Sequence, residues 1–395
     1  MPNLDEITRA RRKRRNKIRI RRLLSMLTGL AIIFFVIIIL NSITVSTFKN
    51  FAEFFKVAFT KSGDFPYLIE DSKAIKLEQI RGGFGILTES EIITITNEAG
   101  EINRETHGFV NPDIAVDGSK LLLFDRGGKE FKIYNRSYEL LSSKRDNTII
   151  SADISSSGYV AMLTTSERST SELVVLYGGD FETIFTWYGA KGFPIFCEIS
   201  PNGKEVGVVC VTGSERGIKT IYTNIDMASQ TEIGQTEVDG LVIDTIRFGS
   251  DTLMITEERA VLFDSKFNMK AEYLFPVAPI LSIAEKSNAV GIAFGDNKQD
   301  SLNTILILNQ RAEKVYIIED MGSVFDLIFV SDKIYVLGDG RISVFRQNGE
   351  LLEEYLIDKR GRSIYLTKNK LIVLLPDRID IASRFKEETN DLADS

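Results

Sequence analysis

The stretch that decides the fold is CEISPNGKEVGVVCVTGSERGIKTIYTNID, residues 197–226, in which short apolar runs alternate with turn residues. β-Branched and aromatic residues favour strands, whereas Gly, Asn, Asp, Pro and Ser favour turns. The same pattern occurs twice before it, as NPDIAVDGSKLLLFDRGGKEFKIYNRSYELL at 111–141 and as SADISSSGYVAMLTTSERSTSELVVLYGGDFE at 151–182. This recurrence predicts a repeat of roughly 40 residues with about four strands in each unit.

Five further units can be recognised. They begin near residues 74, 244, 282, 326 and 363. Eight such units predict an all-β fold, a β-propeller, with eight blades favoured and seven left open because the ends of a repeat array are hard to count. The last unit runs out of strand after about Ile381 and lacks its fourth strand. We predict that PYLIE at 66–70 supplies this strand, so that no strand edge stays exposed.

The repeat pattern resembles WD40-like and quinoprotein-like β-propellers. The whole arrangement is similar to uncharacterised bacterial membrane-anchored propeller proteins. The resemblance covers residues 66–385 and rests on repeat architecture. Quinoprotein blades carry a tryptophan docking signature, whereas this chain has one tryptophan, Trp187, and the Gly-His and Trp-Asp pairs of WD40 blades are absent. The resemblance therefore implies the fold, but neither pyrroloquinoline quinone binding nor close kinship with WD40 proteins.

The N-terminal region carries a membrane signal. Ten Lys and Arg residues lie between Arg9 and Arg22, and the uncharged run LLSMLTGLAIIFFVIIIL follows at 23–40. Such a run spans a bilayer as a helix, and flanking positive charge stays on the cytoplasmic side. We predict a cytoplasmic tail at 1–22, a single transmembrane helix at 23–45 and an extracytoplasmic remainder. A cleaved signal peptide is the alternative, but its apolar core is usually shorter and a small-x-small cleavage site follows it.

The segment at 46–65 is predicted to be an amphipathic helical stalk. It carries Phe48, Phe51, Phe55 and Phe59 at helical spacing. A helix that binds a partner or lies in the membrane interface is the alternative. The propeller is predicted to cover 66–385, and the polar, acidic residues 386–395 are predicted to form a disordered tail.

Composition excludes several function classes. The chain of 395 residues has 48 basic and 55 acidic residues, and removing the ten basic and two acidic residues of 1–22 leaves a charge of −15. An acidic body of this kind is a poor partner for nucleic acid. Cys197 and Cys210 are the only cysteines. A hairpin between them would place them diagonally, which favours two free buried thiols, with a disulfide as the alternative.

No catalytic motif is present. His107 is the only histidine, which leaves almost no residues from which to build a Ser-His-Asp triad or a multi-histidine metal site, and we interpret it as a surface or capping residue. We find no nucleophile elbow, Walker loop or zinc-protease helix. The sequence therefore predicts no cofactor, no metal and no enzyme activity.

One positional pattern suggests a binding surface. The predicted loops between the second and third strands of a blade repeatedly hold an acid beside an arginine, and all of them open at one end of the channel. The arginines are Arg126, Arg168, Arg216, Arg259, Arg341 and Arg378. Arginine recognises carboxylates bidentately, and loops on a rigid scaffold carry binding residues. The alternative is that exposed turns simply favour charged residues.

We therefore predict a single-pass, extracytoplasmic propeller that binds a protein or an envelope component as a non-enzymatic scaffold or sensor. The alternative function is a carboxylate-based polysaccharide hydrolase or lyase with its site in the channel. That activity needs at least two converging acids, one of them with a raised pKa.

Overall fold

The computed structural model describes residues 53–200, 202–215, 217–276, 278–296, 302–367 and 370–384. The chain divides into two compact units, Met1–Phe55 and Lys56–Ser395. The predicted tail, transmembrane helix and acidic C-terminus lie outside the described residues. In the part that is described, no helix is both long enough and apolar enough to cross a membrane. A short helix at 53–59 lies within the predicted stalk.

Within the described residues, 33 strands form eight antiparallel sheets, which we number as blades 1 to 8 along the chain. Blades 1 and 2 consist of β2 (Ala74–Ile80), β3 (Gly83–Thr88), β4 (Glu91–Thr96), β5 (Glu101–Thr106), β6 (Pro112–Asp117), β7 (Lys120–Asp125), β8 (Glu130–Tyr134) and β9 (Glu139–Lys144). Blades 3 and 4 consist of β10 (Ile149–Ile154), β11 (Val160–Thr164), β12 (Ser171–Tyr177), β13 (Glu182–Gly189), β14 (Phe193–Ile199), β15 (Glu205–Ser214), β16 (Gly217–Asp226) and β17 (Thr231–Asp239).

Blades 5 and 6 consist of β18 (Val242–Phe248), β19 (Asp251–Thr256), β20 (Arg259–Phe263), β21 (Met269–Leu274), β22 (Ile280–Lys286), β23 (Ala289–Phe294), β24 (Asn303–Asn309) and β25 (Lys314–Met321). Blades 7 and 8 consist of β26 (Asp326–Val330), β27 (Lys333–Leu337), β28 (Arg341–Arg346), β29 (Leu351–Leu356), β33 (Ser383–Arg384), β30 (Ser363–Leu366), β31 (Leu371–Leu374), β32 (Arg378–Ile381) and β1 (Tyr67–Leu68).

We letter the first four strands of each sheet A to D in their hydrogen-bonded order, so that β1 is strand D of blade 8. The A strands of neighbouring blades contact one another, which places them nearest the axis of the ring. The fold is therefore an eight-bladed β-propeller, as the repeats predicted. The count of eight is confirmed, and seven blades are excluded.

The ring closes with the N-terminal strand that the sequence predicted. In β1, Tyr67 pairs with Ile379 of β32 and Leu68 pairs with Arg378, which completes blade 8. The Tyr67 hydroxyl also contacts blade 1, where it accepts a hydrogen bond from Nη2 of Arg104 at 2.8 Å. Because residues from both ends of the repeat array share one sheet, no edge remains between the first and last blades.

The core lies between the blades. Eight clusters of buried apolar residues each join two neighbouring sheets, including one that joins blade 8 to blade 1. The B strands pack against other blades on both faces, which explains why they are continuous apolar runs such as Gly83–Thr88 and Leu371–Leu374. The outermost strands cover one face only and are more exposed, as in Glu139–Lys144.

One strand was not predicted. After β32 the chain adds the two-residue strand β33 to blade 7, where Ser383 pairs with Leu356 and Arg384 pairs with Tyr355. Blade 7 therefore has five strands. A polar segment of two residues carries no recognisable periodicity, and it forms a strand because the outer edge of β29 is free to pair.

Candidate functional site

The two ends of the propeller differ in their loops. The B–C hairpins and the D–A connections between blades open on one side, which we call the B–C face. The A–B and C–D turns form the opposite side, the A–B face. The structure places the predicted arginines as expected from topology: Arg126 and Arg168 lie in B–C turns, and Arg259, Arg341 and Arg378 begin C strands. Arg216 lies outside the described residues.

Three of these arginines are already paired within the chain. Nη1 of Arg259 lies 2.8 Å from Glu272 Oε1, and Nη1 of Arg341 lies 3.6 Å from Glu354 Oε1. Nη2 of Arg378 lies 3.0 Å from Asp358, and its Nε lies 3.2 Å from Asp380. These carboxylates raise the pKa of Arg259 and Arg378. The described arginines therefore do not form a ring of unpaired cations.

Arg126 and Arg168 differ from these three arginines in their partners. Arg126 is exposed, and its Nε donates a hydrogen bond to the carbonyl oxygen of Ile150 in the next blade at 3.0 Å. Arg168 is also exposed, and among the described residues its guanidinium has no hydrogen-bond or ion-pair partner. It lines a charged cleft of about 300 Å³ with Arg145, Glu167 and Glu172. Of the described arginines that were predicted, Arg168 is the one best placed to bind a ligand.

In six of the eight blades an apolar side chain lies at or just before the start of the A strand, on the B–C face. The A strands of five blades contain a β-bulge near their first residue, and a bulge adds one residue that the partner strand does not match. The extra residue is always Ile or Leu, and Phe325 occupies the same level just before β26. We call these residues the collar: Ile75, Ile150, Ile195, Ile243, Leu281 and Phe325.

The bulge separates two consecutive apolar residues. Ala74 and Ile149 are buried in the core, whereas the residues that follow them, Ile75 and Ile150, are exposed or partly exposed. The same contrast separates buried Val242 from Ile243, which is 43% exposed. The collar was not predicted from the sequence. Its signal is a pair of apolar residues that breaks the alternation at the start of the A strand in the six blades that contribute to it.

Exposed apolar residues extend outward from the collar. Val110 is 92% exposed and Phe193 is 78% exposed, and both lie on the B–C face in or directly after a D–A connection. Between blades 5 and 6 the same face contains an apolar cleft of about 760 Å³. It is lined by Ile243, Glu257, Glu258, Arg259, Leu274, Phe275, Pro276, Ala278, Pro279 and Ile280. This volume lies within the range of ligand-binding pockets.

The channel is lined by carboxylates that satisfy the inner strand edges. Asp153 accepts hydrogen bonds from the backbone N–H of Ile154 at 2.8 Å and of Ile199, in the next blade, at 2.6 Å. Asp326 does the same for Leu327 at 2.8 Å and for Ile364 of the next blade at 2.9 Å. An unpaired inner edge leaves backbone donors without a strand partner, and these acids supply the acceptors. Their oxygens therefore join neighbouring blades.

Four acids on A strands, Asp153, Glu198, Asp244 and Asp326, have a raised pKa. Burial raises the pKa of Glu198 to about 7 and the pKa of Asp244 and Asp326 to about 6. The pKa of Asp153 is raised for the same reason. The raised pKa is one of the two conditions stated above for a hydrolase, the other being convergence of the acids. Among the described residues, no group of three or more His, Cys, Asp or Glu side chains could hold a metal ion.

His107 is a structural residue. Its Nε2 lies 3.2 Å from the carbonyl oxygen of Thr88, and its Nδ1 accepts a hydrogen bond from the backbone N–H of Phe109 at 3.0 Å. Burial lowers its pKa, so the imidazole is neutral near pH 7. The interpretation as a capping residue is confirmed, but the side chain is buried and does not lie on the surface.

Cys197 and Cys210 are both free and buried. Cys197 pairs with Val208, two residues from Cys210, so the predicted diagonal arrangement is confirmed. Burial raises the pKa of both thiols, which leaves them protonated and unreactive at neutral pH.

Solved structures with this fold come from distant proteins. BamB from Moraxella catarrhalis is 12% identical, with a TM-score of 0.57 over 78% of this chain and 96% of that chain. Saccharomyces cerevisiae Sqt1 is 9% identical, with a TM-score of 0.60 over 82% and 97%. The Neurospora crassa Pan2 WD40 domain is 8% identical, with a TM-score of 0.50 over 80% and 90%. These likenesses concern the fold alone, and they confirm the resemblance to WD40-like and quinoprotein-like propellers.

No curated protein matches the sequence. A family model matches residues 66–383, the whole ring from the closing strand to β33. The chain therefore belongs to DUF5711, a family of unknown function.

Proposed function

We propose that this protein is a membrane-anchored, extracytoplasmic, non-enzymatic scaffold that binds another protein through the B–C face of its propeller. The observation that carries this proposal is that the apolar collar and two clefts lie together on that face. The collar, Val110, Phe193 and both clefts described above lie there. Exposed apolar surface rimmed by charged residues is typical of protein-binding sites.

The place where the chain enters the ring supports the same function. Nζ of Lys56 donates a hydrogen bond to the carbonyl oxygen of Ser137, in a C–D turn, at 2.6 Å, and the N–H of Gly63 donates to the carbonyl oxygen of Glu98, in another C–D turn, at 2.9 Å. The chain therefore enters the ring at the A–B face. The described residues that precede the first blade therefore leave the B–C face uncovered.

Crosslinking tests which face binds. We expect a photoreactive phenylalanine at Val110 or Phe193 of the full-length protein to capture a partner in cells, because both positions lie on the B–C face. Met269 and Leu351 are matched controls, since they are 63% and 52% exposed but follow C–D turns on the A–B face. We expect at least about fivefold less adduct from the controls. Equal capture from the two faces would reject the B–C face as the binding surface.

Capture from neither face would instead favour the alternative, a channel hydrolase or lyase. The raised pKa of Glu198 is the observation behind that alternative. Against it, the channel acids Asp153 and Asp326 already accept hydrogen bonds from the backbone of two blades. Oxygens held in this way are not free to act on a polysaccharide.

The anchor is tested by labelling. We expect Ser250→Cys, in an exposed A–B turn, to react with a membrane-impermeant maleimide in intact cells. Asn3→Cys, in the predicted cytoplasmic tail, should react only after permeabilisation. The native cysteines give little background because both are buried. The reverse labelling pattern, or release of the protein by alkaline carbonate, would refute the proposed topology or anchor.

A further inference from the structure

The cleft between blades 5 and 6 has a rigid apolar wall. The Phe275 ring lies 5.0 Å from the Phe294 ring, and its backbone N–H donates to the carbonyl oxygen of Glu258 at 2.7 Å. Pro276 and Pro279 each fix the φ angle at their own position, and the N–H of Ala278 donates to the carbonyl oxygen of Pro276 at 2.8 Å. The wall is therefore formed before any ligand binds, which lowers the entropic cost of binding.

The rim of this cleft carries an excess of negative charge. Glu257 and Glu258 are both exposed in the B–C turn of blade 5. Among the described residues that line the cleft, Arg259 is the only cation, and it is held 2.8 Å from Glu272 and 3.5 Å from Glu258. Two carboxylates of the lining, Glu257 and Glu258, against one guanidinium that is also paired with Glu272 leave the rim negatively charged beside an apolar surface. A ligand that fits must combine apolar groups with positive charge.

The cleft is open and continuous with the collar. Ile243 belongs to both, and Leu274 at the outer end of the cleft is 64% exposed. The apolar surface thus runs from the channel mouth toward the outer edge of blade 5. An extended peptide covers such a path, because its side chains reach several separate positions along it.

We propose that this cleft binds an extended peptide segment of the partner protein in which a large aliphatic or aromatic side chain lies next to Lys or Arg. The inference rests on the proposed function and names the chemistry of the partner. The apolar side chain enters the space between Ile243, Phe275 and Pro279. The basic side chain lies against Glu257 and Glu258.

Two labelled peptides, GGKLFKGG and GGELFEGG, test the inference by fluorescence anisotropy with the full-length protein. We expect the basic peptide to bind at least about tenfold more tightly, because only it complements the carboxylates of the rim. The double variant Glu257→Lys/Glu258→Lys should lose this preference, and Ile243→Ser, which removes apolar contact without changing the charge, should weaken binding of the basic peptide. Glu89→Lys, an exposed acid in the B–C turn of blade 1, should behave like the wild type.

Equal binding of the two peptides, binding of neither, or a preference that survives in Glu257→Lys/Glu258→Lys would overturn the inference. The crosslinking experiment separates this failure from failure of the proposed function. If Val110 and Phe193 still capture a partner in the double variant as in the wild type, the B–C face binds but this cleft does not. If no face preference exists in the wild type, the proposed function itself fails.

Discussion

The protein is expected to become more stable by about 3–5 kcal/mol between pH 8 and pH 5. Burial raises the pKa of Glu198 to about 7 and that of Asp244 and Asp326 to about 6, so each ionised carboxylate costs stability in the folded state. This cost is complete above the folded pKa and absent below the unfolded pKa of about 4. Unfolding by urea at pH 8, 7, 6 and 5 measures the change.

One group opposes this increase in stability, and its contribution is small. Burial lowers the pKa of His107, so its contribution to stability decreases as pH falls below about 6.5. It is one group against several carboxyls whose pKa is raised. A free energy of unfolding that is constant or rises from pH 5 to pH 8 would show that the channel acids are solvated like surface carboxyls.

Asp244→Asn isolates one of these acids. Asp244 accepts a hydrogen bond from the backbone N–H of Thr245 at 2.9 Å, which an amide oxygen can also accept. We expect the variant to be more stable than the wild type at pH 8, by about 1–3 kcal/mol, and equal to it near pH 4. Glu89→Gln, in an exposed turn, is the matched control and should leave the pH profile unchanged.

Repeat period and strand chemistry were sufficient to predict the ring. Each blade is a local unit, so the four apolar runs that form it lie within one repeat. The closing strand was predictable for a different reason. A ring with a missing strand at its C-terminal end needs one from the N-terminal end, and Tyr67–Leu68 lies directly before the first repeat. Strand β33 was missed because it is too short to show any pattern.

The candidate site was only partly predictable. That the arginine loops share one face follows from blade topology, but their pairing does not follow from sequence alone. The carboxylate partner of Arg259 lies 13 residues away on the next strand, and a partner of Arg378 lies 20 residues away. The collar was missed because a pair such as Ile149–Ile150 is typical of a strand buried on both faces, whereas the bulge exposes its second residue.

A large loss of stability is expected from a single substitution at Gly207 of β15, because the ring of Tyr222 packs against this glycine. A methyl group at Gly207 would lie 2.4 Å from the Tyr222 hydroxyl and 2.8 Å from two of its ring carbons. Tyr222 is fully buried and accepts a hydrogen bond from Nη2 of Arg247 at 2.8 Å, so the ring cannot move without breaking this contact. We expect Gly207→Ala to lower the free energy of unfolding by about 2–3 kcal/mol.

The same strand supplies the control. A methyl group at Gly213 meets no atom within 4 Å, so Gly213→Ala should change the free energy of unfolding by less than about 0.5 kcal/mol. Urea unfolding of the two variants and the wild type at one pH makes the comparison. If Gly207→Ala were as stable as Gly213→Ala, the Tyr222 ring would have to be free to shift, and the contact between blades 4 and 5 would not hold it in place. A loss of stability confined to Gly207→Ala would instead show that close packing at this interface keeps blades 4 and 5 together. The same packing then holds the collar residues Ile195 and Ile243 in place on the face that we propose for binding.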